Sequence, residues 1–306
     1  MSLSGFHPLA AQPSRMVVCI HGFGGFRWQL YPLASTLKRC GFLVYNYAYA
    51  ARKYTLEEHG LHLAEFLASL ASKSLNASSL PERTSSISFV THSFGGVLLR
   101  EALTGAAWHT THLTPEIARV GRAVCLGPPF AGASLARALR HRDAQGRMPY
   151  RFLEQLARRV LGPAAGRQLL DMPPEWFLQR GGMPETMPVL VIAGDMGRLN
   201  PLITRSSTAR SATSGSPHGR DAAGRFLDTA PSDGVIGVHE TWLPSRHWRL
   251  RVRLPHHMLL YAPAVLEATA QFLLAQGDDA MFGLELATAA PVTGSRRIQP
   301  GVFGEP

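Results

Sequence analysis

One serine lies in a sequence context that is typical of a catalytic nucleophile, Thr91-His92-Ser93-Phe94-Gly95-Gly96. The apolar residues 87–90 before it predict a buried strand, and a helix is predicted at about 94–105. Such a strand–turn–helix lifts the serine Oγ clear of the backbone and directs the positive end of the helix toward it. A serine that only caps the helix would occupy the same place. The context favours Ser93 as the nucleophile of an acyl-transfer reaction.

A glycine-rich turn, His21-Gly22-Phe23-Gly24-Gly25, directly follows the first apolar run at 16–20. Such a turn can present a backbone amide to a developing oxyanion, together with the amide of the residue after the nucleophile. The predicted donors are therefore the amides of Phe23 and Phe94. A dinucleotide-binding loop is excluded, because its third glycine would fall on Arg27.

A serine nucleophile also needs an acid and a base, which come later in the chain in the order acid, then histidine. Asp195 directly follows a predicted strand, and Asp233 lies in the loop before the last predicted strand. His256 and His257 directly follow that last strand. Position alone slightly favours Asp195 over Asp233, and spacing cannot choose between the two histidines.

The elements that must position these residues alternate along the chain. Short apolar runs predict strands at 16–20, 42–49, 87–90, 120–126, 188–193 and 247–254. Amphipathic patterns with capping signals predict helices at 28–40, 56–70, 94–105 and 263–275. Buried strands alternating with helices indicate an α/β fold with a mostly parallel central sheet and helices on both faces.

Two stretches depart from this alternation. Residues at about 128–187 are largely helical, rich in arginine and without strand signals, and they predict a helical cap over the carboxyl edge of the sheet. Residues 277–306 predict a flexible C-terminal tail.

Composition excludes several classes of protein. The chain has 306 residues, of which 45% are hydrophobic, and a net charge of +10. Its basic residues are mostly scattered arginines and are not interleaved with aromatic residues, so we expect no nucleic-acid partner. The arginines of the predicted cap could attract an anionic lipid surface at the membrane periphery. No apolar run reaches the roughly 18 residues of a membrane span.

Cellular location follows from two weaker signals. The first fifteen residues lack the cationic and apolar regions of a secretory signal. Three cysteines, Cys19, Cys40 and Cys125, are too few for a disulfide framework and are typical of core thiols in a reducing compartment. We therefore expect a cytoplasmic protein.

Several of these segments together resemble the α/β-hydrolase superfamily, in particular its bacterial lipase/esterase-like branch. The resemblance covers residues from about 16 to 275 and departs from the family at Thr91, where glycine is usual, and at Phe130, where histidine is common. The motifs that carry it are HGFGG, THSFGG, LGPPFAGAS, VIAG, PSDGVIGVHET and LPHHMLLYAPAVLEATAQFL. It implies that residues 1–276 form one α/β-hydrolase domain.

The resemblance also selects the acid and the base. In that family an Asp-Gly loop supplies the acid, which corresponds to Asp233. The family base is followed by leucine at the third position and proline at the seventh. Leu259 and Pro263 stand at those positions after His256, whereas the seventh position after His257 is not a proline. The implied base is therefore His256.

The implied function is that of a serine hydrolase that cleaves small-molecule or lipid carboxylic esters through an acyl-enzyme intermediate. Its triad would be Ser93, Asp233 and His256, with the amides of Phe23 and Phe94 as the oxyanion hole. The expected chemistry needs no cofactor and no metal. The same triad would also serve an acyltransferase or a thioesterase, and a non-catalytic binding protein on the same scaffold is a third alternative.

Overall fold

A seven-stranded sheet organises the computed structural model, which describes residues 15–75, 86–105, 120–133, 162–196, 231–275 and 284–287. The strands are β1 Arg15–Ile20, β2 Leu43–Tyr47, β3 Ser86–His92, β4 Val120–Leu126, β5 Val189–Gly194, β6 His247–Val252 and β7 Glu285–Ala287. Their order is β2-β1-β3-β4-β5-β6-β7. The first five pairs of neighbours are parallel, and β7 runs antiparallel to β6. The predicted mostly parallel sheet is confirmed.

Helices cover both faces of this sheet, as predicted. They are α1 Tyr31–Arg39, α2 Leu56–Leu75, α3 Phe94–Thr104, α4 Ala165–Asp171, α5 Pro174–Leu178 and α6 Pro263–Leu274. Alternate residues of β1 point to opposite faces. Val18 and Ile20 pack with α2 and α3, whereas Val17 and Cys19 pack with α1 and α6. Each fully buried aliphatic side chain contributes about 1.5–3 kcal/mol of hydrophobic free energy.

The start of α2 shows how the sequence sets a helix boundary. The Thr55 amide donates to Glu58 Oε2 at 2.8 Å, and the Glu58 amide donates to Thr55 Oγ1 at 3.2 Å. These two bonds form the reciprocal capping box that the sequence predicts. The cap starts α2 shortly after β2, so the chain turns back along the sheet.

Strand β2 differs from its prediction as a fully buried strand. It pairs with β1 and forms one edge of the described sheet, and Leu43 is 42% exposed. A continuous apolar run is typical of a central strand. Here the aromatic residues of β2 pack against one face, while its outer edge has no neighbouring strand among the described residues.

The predicted tail also differs in part. Residues 285–287 form β7, in which Trp248 of β6 lies opposite Leu286. Three residues carry too little alternation to mark a strand in the sequence. The pairing covers the outer edge of β6, and the rest of the predicted tail lies outside the described residues, apart from Leu284.

The predicted cap is described only in part, since residues 134–161 lie outside the described residues. Its described portion contains α4 and α5. The Ala165 amide donates to the Tyr54 carbonyl at 3.0 Å, and the Leu56 amide donates to Gln168 Oε1 at 2.7 Å. Tyr54 and Leu56 follow β2, so α4 packs against the connection between the carboxyl end of β2 and α2. Narrowing of access to Ser93, and contact with anionic lipid, stay predictions.

Candidate active site

Ser93 occupies a strained turn between β3 and α3. Its backbone has φ 51° and ψ −127°, and among the described non-glycine residues it alone has a positive φ. Such a conformation costs about 1–3 kcal/mol and persists only where neighbouring contacts hold it. One such contact is the bond from the Ser93 amide to the Leu126 carbonyl at the end of β4, 2.8 Å long. This turn between β3 and α3, the Ser93 elbow, is therefore tied to the carboxyl edge of the sheet.

Close backbone approaches explain the glycines around this turn. A Cβ on Gly95 would lie 2.6 Å from the Ile20 carbonyl oxygen and 2.7 Å from that of His21. A Cβ on Gly22 would lie 3.0 Å from Ser93 Cβ. Only glycine lets α3 and the turn after β1 meet at these distances. The two predicted motifs thus contact each other in the folded chain.

Thr91 and Phe130, the two residues that depart from the family pattern, are both buried. Thr91 Oγ1 would lie 3.2 Å from a Cβ on Gly96, so the small Gly96 leaves room for the larger Thr91. The Phe130 ring is fully buried, with the Arg100 guanidinium 5.4 Å from its centroid. Arg100 Nη1 also donates to the Phe130 carbonyl at 3.2 Å. Phe130 therefore packs on a buried arginine and contributes no titratable group.

The two residues whose amides are the predicted oxyanion donors pack their side chains together. The rings of Phe23 and Phe94 meet edge to face, with centroids 5.0 Å apart. Phe94 is the first residue of α3, so its amide has no carbonyl one turn earlier to bond. The turn that carries Phe23 is closed by a bond from the Gly25 amide to the Gly22 carbonyl, 3.2 Å long. The role of these two amides stays a prediction.

Asp233 and His256 form a buried pair. Asp233 Oδ2 lies 2.6 Å from His256 Nδ1. Asp233 Oδ1 accepts the amides of Val235 at 2.9 Å and Ile236 at 2.7 Å. The His256 amide also donates to the Asp233 carbonyl at 2.9 Å. A carboxylate only accepts, so Nδ1 is the donor, and in the neutral imidazole this makes Nε2 the basic nitrogen.

The rival candidates are placed elsewhere. Asp195 Oδ2 accepts from Arg251 Nε at 2.6 Å, and its amide donates to the Val252 carbonyl at 2.7 Å. His257 is exposed beside His256. The structure thus pairs Asp233 with His256, and Asp195 with Arg251 of β6. Chain position alone slightly favours Asp195 as the acid, but the carboxylate that contacts His256 is that of Asp233.

Ser93 and His256 both lie against residues 126–127, at the carboxyl end of β4. Ser93 bonds Leu126, and the next residue, Gly127, has φ +55°. A Cβ on Gly127 would lie 3.0 Å from both Nδ1 and Cε1 of His256, so glycine admits the imidazole here. Among the described residues, no hydrogen bond joins Ser93 Oγ to His256. Catalytic bonds of this kind are often longer without substrate.

Sequence reasoning missed two residues at this site, Gly127 and His92. The His92 ring lies 4.7 Å from the His256 ring, centroid to centroid. The only available signals were the turn residues around Gly127-Pro128 and the adjacency of His92 to Ser93. Neither signal shows that Gly127 and His92 contact His256 in the folded chain.

Two buried cysteines of the described chain do not compete with Ser93 as nucleophiles. Burial raises the pKa of both Cys19 and Cys125 to about 12, so neither thiol is a thiolate near neutral pH. Within the described ranges, no three His, Cys, Asp or Glu side chains are grouped to hold a metal ion. The described helices include none with the length and apolarity to cross a bilayer.

Comparison with known proteins finds solved structures of similar fold. No family model and no curated protein matches the sequence. Lipase BlEst2 of Bacillus licheniformis, in its propeptide form, superposes with a TM-score of 0.58 and 17% identity, covering 88% of this chain and 52% of that one. Phospholipase PlaB of Legionella pneumophila gives 0.54 and 14%, covering 87% and 60%. The lin2722 product of Listeria innocua gives 0.50 and 14%, covering 86% and 95%.

At identities this low, the superpositions show a shared fold, the α/β-hydrolase fold, and no more. The chain spans about half the length of the Bacillus lipase and three-fifths of the Legionella phospholipase. Similarity of fold leaves function to be argued from the site itself.

Proposed function

We propose that this chain, which has the α/β-hydrolase fold, is a serine hydrolase that cleaves carboxylic esters. The observation that carries the proposal is the buried Asp233–His256 pair beside the strained Ser93 elbow. Strain at a non-glycine residue, with a histidine held by a buried carboxylate nearby, is typical of a functional site. Lipase and phospholipase structures with the same fold support ester or lipid substrates.

The mechanism assigns one role to each group. Ser93 Oγ attacks the ester carbonyl carbon while His256 Nε2 accepts its proton. Asp233 fixes the histidine tautomer and stabilises the imidazolium that forms. The amides of Phe23 and Phe94 bond the oxyanion of the tetrahedral intermediate. When the carbon–oxygen bond breaks, His256 returns the proton to the leaving alcohol, and an acyl-enzyme remains on Ser93.

Water completes the cycle at the same groups. His256 Nε2 takes a proton from water as the water oxygen attacks the acyl carbonyl. The second tetrahedral intermediate collapses, Ser93 Oγ leaves with the proton from His256, and the carboxylic acid is released. The Ser93 proton leaves with the alcohol and is replaced by one from water, and His256 ends neutral, so the cycle regenerates the site and requires no cofactor.

The proposal is tested by active-site labelling combined with a substrate panel. The purified chain is incubated with a fluorescent fluorophosphonate, and turnover is measured on esters of short to long acyl chains and on matching thioesters. We expect labelling of Ser93 and ester turnover, both absent in Ser93→Ala. Turnover of thioesters alone would make the chain a thioesterase. The absence of both labelling and turnover would support the non-catalytic alternative.

Asp233→Asn is expected to lower kcat by about 10⁴-fold, because the amide no longer holds the productive histidine tautomer. Asp195→Asn is the matched control, since it makes the same change in a carboxylate paired with Arg251. The control should lose less than about tenfold, mainly through stability. Steady-state ester kinetics of the two purified variants compare the losses. Equal kcat losses in both would remove Asp233 from its proposed role.

A further inference from the structure

His92 ends β3 immediately before Ser93 and is almost fully buried. Its ring is tilted by 43° to the His256 ring, with centroids 4.7 Å apart. Its Nε2 lies 3.3 Å from the His256 carbonyl oxygen. His92 thus contacts both the ring and the backbone of the proposed base.

The protonation of His92 follows from these contacts. The His256 carbonyl only accepts, so His92 Nε2 carries the proton and donates it. Burial lowers the pKa of His92 to about 3, and the neighbouring His256 acts in the same direction. His21 and His257 are the other imidazoles that lower it. His92 is therefore a neutral donor near neutral pH, and it adds no positive charge beside a protonated His256.

Contacts hold the His256 ring and both of its backbone groups. Asp233 accepts from the ring at Nδ1, and its carbonyl accepts the His256 amide. His92 donates to the remaining backbone group of His256, its carbonyl, and Gly127 lies against the ring. His256 also begins a short 3-10 helix, His256–Leu260. His92 ties the start of that helix to the strand end that carries Ser93.

We propose that His92 is a positioning residue that holds His256 in register with Ser93 through its Nε2–H bond to the His256 carbonyl. The link matters because Ser93 follows His92 directly, so one strand end sets both the nucleophile and the base. A displacement of about 1 Å between reacting groups lowers a rate by about 100-fold. The inference rests on the proposed function for its effect on rate, but not for its effect on the Asp233–His256 pair.

Three substitutions separate the hydrogen bond from simple packing. In His92→Gln the side-chain amide can take the place of Nε2–H, whereas the shorter amide of His92→Asn cannot reach it. His92→Phe keeps a ring but has no donor. His247→Phe is the matched control, because His247 is also a fully buried histidine but lies at the opposite end of the sheet, where β6 begins.

The first readout is the proton resonance of His256 Nδ1–H, which a short imidazole–carboxylate bond moves far downfield in a proton spectrum. It is identified by its disappearance in Asp233→Asn. We expect the resonance in wild type, His92→Gln and His247→Phe, and its broadening or loss in His92→Phe and His92→Asn. Circular dichroism and thermal unfolding establish that each variant is folded.

The second readout is ester kinetics. We expect kcat to fall by about 10- to 100-fold in His92→Phe and His92→Asn with little change in KM, and His92→Gln to retain most of it. An unchanged resonance and kcat in the variants without the donor would overturn the proposal. If His92→Phe does not fold, equal behaviour of the Gln and Asn variants would overturn it. A resonance that depends on His92 in a chain without ester turnover would instead reject the proposed function alone.

Discussion

Ser93→Ala is expected to lower kcat for ester hydrolysis by about 10⁶-fold while the protein stays folded. The reason is that the alanine has no oxygen to attack the carbonyl, so neither His256 nor the oxyanion donors have a covalent step to assist. Alanine adopts the strained backbone at this position about as poorly as serine does, so stability should change little. Kinetics on a short-chain ester and fluorophosphonate labelling measure the loss.

The control for this prediction is the unfolding transition of the same protein. A thermal midpoint close to that of wild type shows that lost activity reflects lost chemistry. Wild-type turnover in purified Ser93→Ala would assign the nucleophile to another residue.

His256→Ala is expected to lose as much activity as Ser93→Ala, and the double variant should be hardly slower than either. Groups that act as one catalytic unit fail together, because removal of either ends the same proton transfer. His257→Ala is the matched control, as it removes an exposed imidazole from the adjacent position. It should lose less than about tenfold, mainly through its effect on the loop. Kinetics of all four proteins on one ester test these relations.

The opposite outcome is equally clear. An active His256→Ala and an inactive His257→Ala would mean that the family resemblance aligns the last loop one residue out of register. Multiplicative losses in the double variant would mean that Ser93 and His256 act in separate steps.

Much of the fold could be predicted, because its strands are short apolar runs and its helices carry local signals. The capping box of Thr55 and Glu58 sets the start of α2 in the sequence and in the structure. The edge position of β2 could not be predicted, since an apolar run does not state how many neighbours a strand has. Strand β7 was missed because its stability comes from pairing with β6, a long-range contact.

At the site, the Ser93 turn could be predicted because it depends on adjacent residues. The choice between Asp195 and Asp233 depends on a pairing across the sheet edge, which residue types do not reveal. Arg251 lies 56 positions after Asp195 in the chain, yet it takes that carboxylate. The contact between His92 and His256 spans 164 positions and leaves no local pattern.

The backbone at Ser93 has a consequence for how the chain would evolve. Glycine would adopt φ 51° and ψ −127° without the cost of about 1–3 kcal/mol that serine bears there. Folding alone therefore favours glycine at this position, and only chemistry favours serine. A lineage released from selection for turnover is expected to drift to glycine at position 93 and to become more heat-resistant as it does so. Retention of the serine in descendants would mark continued use of the site.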